Sequence, residues 1–69
     1  MYKLDLINIG RNIKVERVRK GYSQEQLAEF TDTTRHSISL IECGLQHPKL
    51  LTTLKIANAL SLDINEILK

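Results

Sequence analysis

The break at Gly21-Tyr22-Ser23 constrains this chain most. Upstream of it, Ile9, Ile13 and the aliphatic stem of Arg17 recur at four-residue spacing, the period of a helix face. Arg17, Arg19 and Lys20 collect at the end of that stretch, where cations suit the negative pole of a helix dipole. Gly21 then fits the position just past a helix end. Directly downstream, Ser23-Gln24-Glu25-Gln26 has the form of a capping box. In such a box the serine oxygen takes the third amide and the glutamine reaches back. One helix, over about residues 5–20, therefore ends almost where a second begins.

The same punctuation divides the rest of the chain. The second helix turns Leu27 and Ala28 inward and stops near Phe30 or Thr31. Thr31-Asp32-Thr33-Thr34 is rich in residues that bond their own backbone, so it favours a turn and then a cap. Thr34 is the expected N-cap of a third helix. That helix carries Ile38 and Ile41 on one side, shows Arg35, His36, Ser39 and Leu40 on the other, and ends at Gly44. A loop with His47-Pro48 leads to a fourth helix over about residues 50–60, whose inward side is expected to hold Leu50, Ala57 and Leu60. Asp63-Ile64-Asn65-Glu66 is a second capping-box-like start. It opens a short fifth helix with Ile64, Ile67 and Leu68 at i, i+3, i+4. No segment alternates like a strand and none repeats. The predicted class is all-α, a bundle of five short helices.

Composition narrows the function. At 69 residues the chain is expected to be one domain with a small core. Its only cysteine, Cys43, excludes a disulfide and suits a reducing compartment. There is no Cys/His set at zinc spacing, so no metal or other cofactor is expected. The first twenty residues contain no long apolar run, so neither a signal peptide nor a membrane span is visible, and a cytoplasmic location is expected. An enzyme is not expected, because no glycine-rich phosphate loop and no paired nucleophile and base are present. No small-molecule ligand is evident either. Net charge is only +2, from 10 Lys+Arg against 8 Asp+Glu. The local bias is stronger: Arg11, Lys14, Arg17, Arg19 and Lys20 are opposed only by Glu16. Such a run is either a solvated helix face or a phosphate-binding surface, and charge does not choose between them.

Ordered motifs carry more. Ile13-Lys14-Val15-Glu16-Arg17 is followed by Tyr22-Ser23-Gln24-Glu25-Gln26-Leu27-Ala28-Glu29. Then come Thr33-Thr34-Arg35-His36-Ser37-Ile38-Ser39-Leu40-Ile41-Glu42-Cys43-Gly44, Pro48, and Lys55-Ile56-Ala57-Asn58-Ala59-Leu60. This set resembles the Cro/C1-type (XRE) helix-turn-helix family, over residues 9–68. The resemblance implies the compact five-helix, lambda repressor-like fold, with a single domain over residues 1–69 and the helix-turn-helix unit at residues 24–43. It also implies a transcriptional regulator, a repressor or controller. Such a protein binds double-stranded DNA as a homodimer on a palindromic operator, with helix three in the major groove. Ala28 matches the family's small residue in helix two, and Ile38 its buried aliphatic in helix three. Asp32 replaces the usual turn glycine, Glu16 an aliphatic residue, and Thr53 a leucine.

The resemblance also implies roles for individual residues. Arg35 is the expected main base reader, since a guanidinium can grip guanine O6 and N7 together, worth ~1–3 kcal/mol of discrimination. A phosphate contact or a free surface charge is the competing reading. Thr34 offers a methyl to thymine while its hydroxyl caps the helix, and His36 can reach a base edge or a phosphate. Ser39 and Leu40 continue the outward side, although Leu40 also suits partial burial. Gln24, at a helix start where amides attract anions, matches a phosphate anchor that also braces helix three. Thr33 and Ser37 are expected phosphate contacts. His47 and Lys49 are either further backbone contacts or a solvated loop. Arg17 and Glu42 match a structural ion pair between helix one and the end of helix three.

Apolar residues exceed what five inward stripes need: Val15, Val18, Phe30, Leu51 and Leu54 fall off them. Scattered surface is one reading; a self-association face near helices four and five is another. The surplus also keeps open a module that holds a protein partner, like an antitoxin or coactivator of the same fold. No sensor domain is expected beyond residue 69, and regulation is expected through concentration, dimerisation or a separate partner.

Overall fold

Five helices follow one another: α1 (Leu6–Lys20), α2 (Gln24–Phe30), α3 (Arg35–Glu42), α4 (Leu50–Ala59) and α5 (Ile64–Leu68). They come from a computed structural model, which describes residues 5–69. No strand occurs among these residues, and no helix is long and apolar enough to cross a membrane.

Side-chain caps start four of the five helices. Asp5 Oδ1 accepts from the amides of Ile7 and Asn8 at 3.1 and 3.2 Å. The Ser23 box closes in both directions, Ser23 Oγ accepting from Gln26 N at 3.0 Å and Gln26 Oε1 from Ser23 N at 2.8 Å. Thr34 Oγ1 accepts from Ser37 N at 3.0 Å. Asp63 Oδ1 takes the Asn65 amide at 2.9 Å, but Glu66 does not reach back, so α5 starts with a single cap and not a box. Only α4, which begins after Lys49, has no side-chain cap.

The four connections share one closing device. Gly21, Asp32, Gly44 and Ser61 each adopt a left-handed backbone, with φ of 79°, 55°, 75° and 57°. The next amide then bonds five residues back: Tyr22 to Arg17 O, Thr33 to Ala28 O, Leu45 to Leu40 O, and Leu62 to Ala57 O, all within 2.8–3.1 Å. This Schellman geometry satisfies helix-end carbonyls that would otherwise lack partners. Two of the four left-handed positions carry a side chain, and aspartate tolerates that conformation better than most residues.

The core gathers Ile9 and Ile13 of α1, Leu27 and Ala28 of α2, Ile38 and Ile41 of α3, Ile56 and Ala57 of α4, Leu60, and Ile67 of α5. Three helices therefore present the inward residues expected of them. Helix α4 does not: Leu50 is 71% exposed, and the inward face is Thr53, Ile56, Ala57 and Leu60. Apolar residues crowd α4 so heavily that their spacing defines no single face. Thr53 can occupy the interior because its hydroxyl donates to Lys49 O at 3.0 Å, leaving only its methyl to pack. Glu16, the other departure from the family pattern, is half-buried and bonds Arg19 at 3.0 Å.

Close backbone approach sets where α3 lies. Ala28 is 3% exposed at the α2–α3 crossing. On the other side Gly10 of α1 sits against the carbonyl oxygens of Ile41 and Glu42. Asn12 ties α5 to α1 by donating to Ile67 O at 2.9 Å.

Candidate nucleic-acid interface

Burial of Ile38, Ile41 and Glu42 fixes the rotation of α3. The opposite face is consequently His36, Ser39, Leu40 and Cys43, at i, i+3, i+4 and i+7. His36 and Cys43 are exposed, while Ser39 and Leu40 are half-buried. Arg35 is exposed at the first position of the helix, one turn before Ser39. Thr34 is exposed as well; its hydroxyl is held by the cap, so its methyl is the group left to meet a ligand. Of the five residues expected to read bases, His36, Ser39 and Leu40 therefore share one side of α3, and Thr34 and Arg35 are exposed at its start. Cys43 extends that side and was not anticipated there.

Behind this face lies a polar hub. Arg17 Nε donates to Glu42 Oε2 at 2.6 Å and its Nη2 to Oε1 at 3.1 Å, a bidentate geometry. The remaining fork nitrogen, Nη1, donates to Tyr22 O at 2.7 Å. Gln24 Nε2 adds a third bond to Glu42, reaching Oε1 at 3.0 Å. The two charged side chains are 11% and 2% exposed. Arg17 is thereby withdrawn from the basic surface of α1 and joined to α3. Gln24 keeps its second amide hydrogen and its carbonyl oxygen beyond the bond to Glu42.

The residues expected to meet phosphate divide into three places. Gln24 stands at the start of α2, on the hub. Thr33, Ser37 and Lys49 line one polar groove of about 250 Å³ between the α2–α3 turn, α3 and the start of α4. His47 is not among its lining residues; it is exposed, with Nδ1 3.0 Å from Pro48 O. Gln46 and Thr52 also line the groove, and sequence reasoning missed both. Thr52 had a signal, lying in the first turn of a helix that begins after a lysine. Gln46 had none. The first-turn amides of α4 have no side-chain cap, so they remain available to an anion. Asp32 lines the groove too and opposes that charge.

A helix-turn-helix family model matches residues 13–67. The chain belongs to the Cro/C1-type helix-turn-helix family of DNA-binding transcriptional regulators. Among relatives, an HTH-type transcriptional regulator of Bacillus subtilis, YgzD, is 42% identical over 55 residues, covering 80% of this chain and 83% of that protein. Two further relatives are longer, and the chain spans 56% of each. Solved structures agree on the fold. The restriction-modification controller protein C.AhdI of Aeromonas hydrophila superposes with a TM-score of 0.88 at 33% identity, over 91% of this chain and 96% of that one. SinR, a master regulator for biofilm formation solved in complex with DNA, gives 0.83 at 34% identity, over 88% and 98%. Within this helix-turn-helix family the activity is regulation by DNA binding and not catalysis.

Proposed function

We propose that this helix-turn-helix protein is a sequence-specific repressor or controller that acts in the cytoplasm as a dimer on a palindromic operator. In this reading α3 enters the major groove. Arg35 reads guanine, the Thr34 methyl and Leu40 meet thymine methyls, and His36 and Ser39 contact base edges. Gln24 anchors one phosphate; Thr33, Ser37 and Lys49 clamp another in their groove, and His47 lies nearer solvent beside it. Arg17 and Glu42 hold α3 in position and touch no DNA.

The observation that carries the reading is the division of labour on α3. Ile38, Ile41 and Glu42 lock the helix, while Arg35 and His36 are exposed beside a polar groove that contains Lys49. The likeness to a controller protein and to a regulator solved with DNA supports it.

The dimer rests on α4. Leu50, Leu51 and Leu54, within five residues of one another, are 71%, 63% and 45% exposed, an aliphatic cluster that a second copy would cover. A two-fold pair through this face would set two α3 helices one DNA turn apart, about 34 Å.

Selection of bound duplexes from a random pool tests the whole reading. The expected result is a palindrome whose half-sites lie about one turn apart, centre to centre, with a guanine that Arg35→Ala no longer prefers. Enrichment of a single unpaired half-site would remove the dimer. No enrichment, together with no salt-sensitive binding to random duplex, would remove DNA reading and favour a protein-interaction module.

A further inference from the structure

A second surface lies on α1. Ile7, Arg11, Lys14, Val15 and Val18 are all exposed and follow at i, i+4, i+7, i+8 and i+11, a single stripe along the helix. Ile7, Val15 and Val18 are 60%, 47% and 59% exposed. The core residues Ile9, Ile13 and Arg17 occupy a different side of the helix. No carboxylate stands on the stripe. Glu16 lies off it and is engaged by Arg19. Among the described residues neither Arg11 nor Lys14 makes an ion pair.

We infer that this stripe docks an acidic amphipathic helix of another protein. The charge pattern commits the occupant. Two like charges one turn apart repel each other in the free protein, and a partner with carboxylates relieves them. The interleaved aliphatics argue against a nucleic-acid backbone, which needs cations but gains nothing from Ile7, Val15 and Val18. A second copy of the stripe is excluded by the same cations, which would face each other. The stripe runs about 17 Å at 1.5 Å per residue, enough for roughly three turns of a partner helix packed alongside. None of its residues belongs to the outward face of α3 or lines the groove beside it. Ile7 packs against Gly44, just past the end of α3, while Arg11, Lys14, Val15 and Val18 lie further along α1; the inference stands whether or not the DNA reading does.

The test titrates the full chain with a synthetic helical peptide of about 15 residues, leucine at i, i+3, i+4 and i+7 with glutamate on both flanks. Amide shifts in a two-dimensional NMR spectrum report the site. Saturable shifts centred on Arg11, Lys14, Val15 and Val18 are expected. Arg11→Glu with Lys14→Glu should weaken binding at least about tenfold, and Val15→Ser with Val18→Ser by a similar factor, while the same peptide with lysine for glutamate does not bind. All substituted positions are exposed, and circular dichroism checks that the variants fold. Four results overturn the proposal: no saturation by about 1 mM peptide, shifts centred elsewhere, charge variants that bind as well as the parent, or random duplex DNA that shifts the stripe when the peptide does not.

Discussion

Gly10 of α1 rests against the backbone of α3, with no room for a side chain between it and the Ile41 carbonyl. A Cβ there would come within 2.7 Å of Glu42 O and closer still to Ile41 O. Both obstacles are backbone, so no rotamer change relieves them. Gly10→Ala must push the two helices apart, and it should cost about 1–3 kcal/mol by the usual measure of overpacking. In a domain this small that is a large share of the total. Thermal unfolding of the variant checks it; a midpoint equal to the parent's would mean that α1 can shift freely over α3.

Two arginines should separate stability from recognition. Arg17→Ala strands Glu42, whose side chain is 2% exposed and would keep only the Gln24 bond. Breaking a buried pair in this way costs roughly 3–5 kcal/mol. Arg35→Ala removes an exposed side chain and should leave the melting temperature nearly unchanged. It should lose about 1–3 kcal/mol of preference for the selected duplex over a scrambled one. Equal thermal effects of the two substitutions would refute the division.

Arg17 also marks the limit of what the sequence alone makes legible. It sits in the most basic stretch of the chain, and only family resemblance, not charge, assigns it to the scaffold. The helix starts at Ser23 and Thr34 were legible because a cap is a local event between near neighbours. The inward face of α4 was not. Leu50, Leu51 and Leu54 satisfy the same spacing rules as the true face, and only packing against the other helices selects Thr53. Gly10 carried no signal, because a glycine at a helix crossing looks like any helix glycine until the second helix is placed. The groove likewise joins Thr33, Ser37, Gln46, Lys49 and Thr52 across three elements, a grouping that linear spacing does not express.

The left-handed ends yield a paired prediction. Asp32 and Ser61 hold φ of 55° and 57°, a conformation that costs a residue with a Cβ about 1–2 kcal/mol more than glycine. Glycine's extra freedom in the unfolded chain offsets part of that gain. Ser61→Gly should stabilise by about 0.5–1 kcal/mol, a rise of roughly 2–8 °C for a domain of this length, and Asp32→Gly by less, because aspartate tolerates the left-handed backbone better. Only Asp32→Gly should also strengthen binding to random duplex, because it alone removes a carboxylate from the groove. Unchanged duplex affinity in that variant would detach the groove from the DNA backbone.

Lys49 provides the sharpest measurement on that groove. It precedes the uncapped start of α4 and lines the same space as Thr33 and Ser37. A lysine that neutralises one phosphate releases about one counterion, so Lys49→Ala should reduce the slope of log K against log salt by about 1. The loss should be nearly equal on selected and scrambled duplexes, since a phosphate carries no sequence information. Thr52→Ala, by comparison, removes a neutral donor from the same groove and should weaken both duplexes without changing the slope. If Lys49→Ala lost affinity only on the selected duplex, Lys49 would be reading sequence, and the groove would have to face base edges.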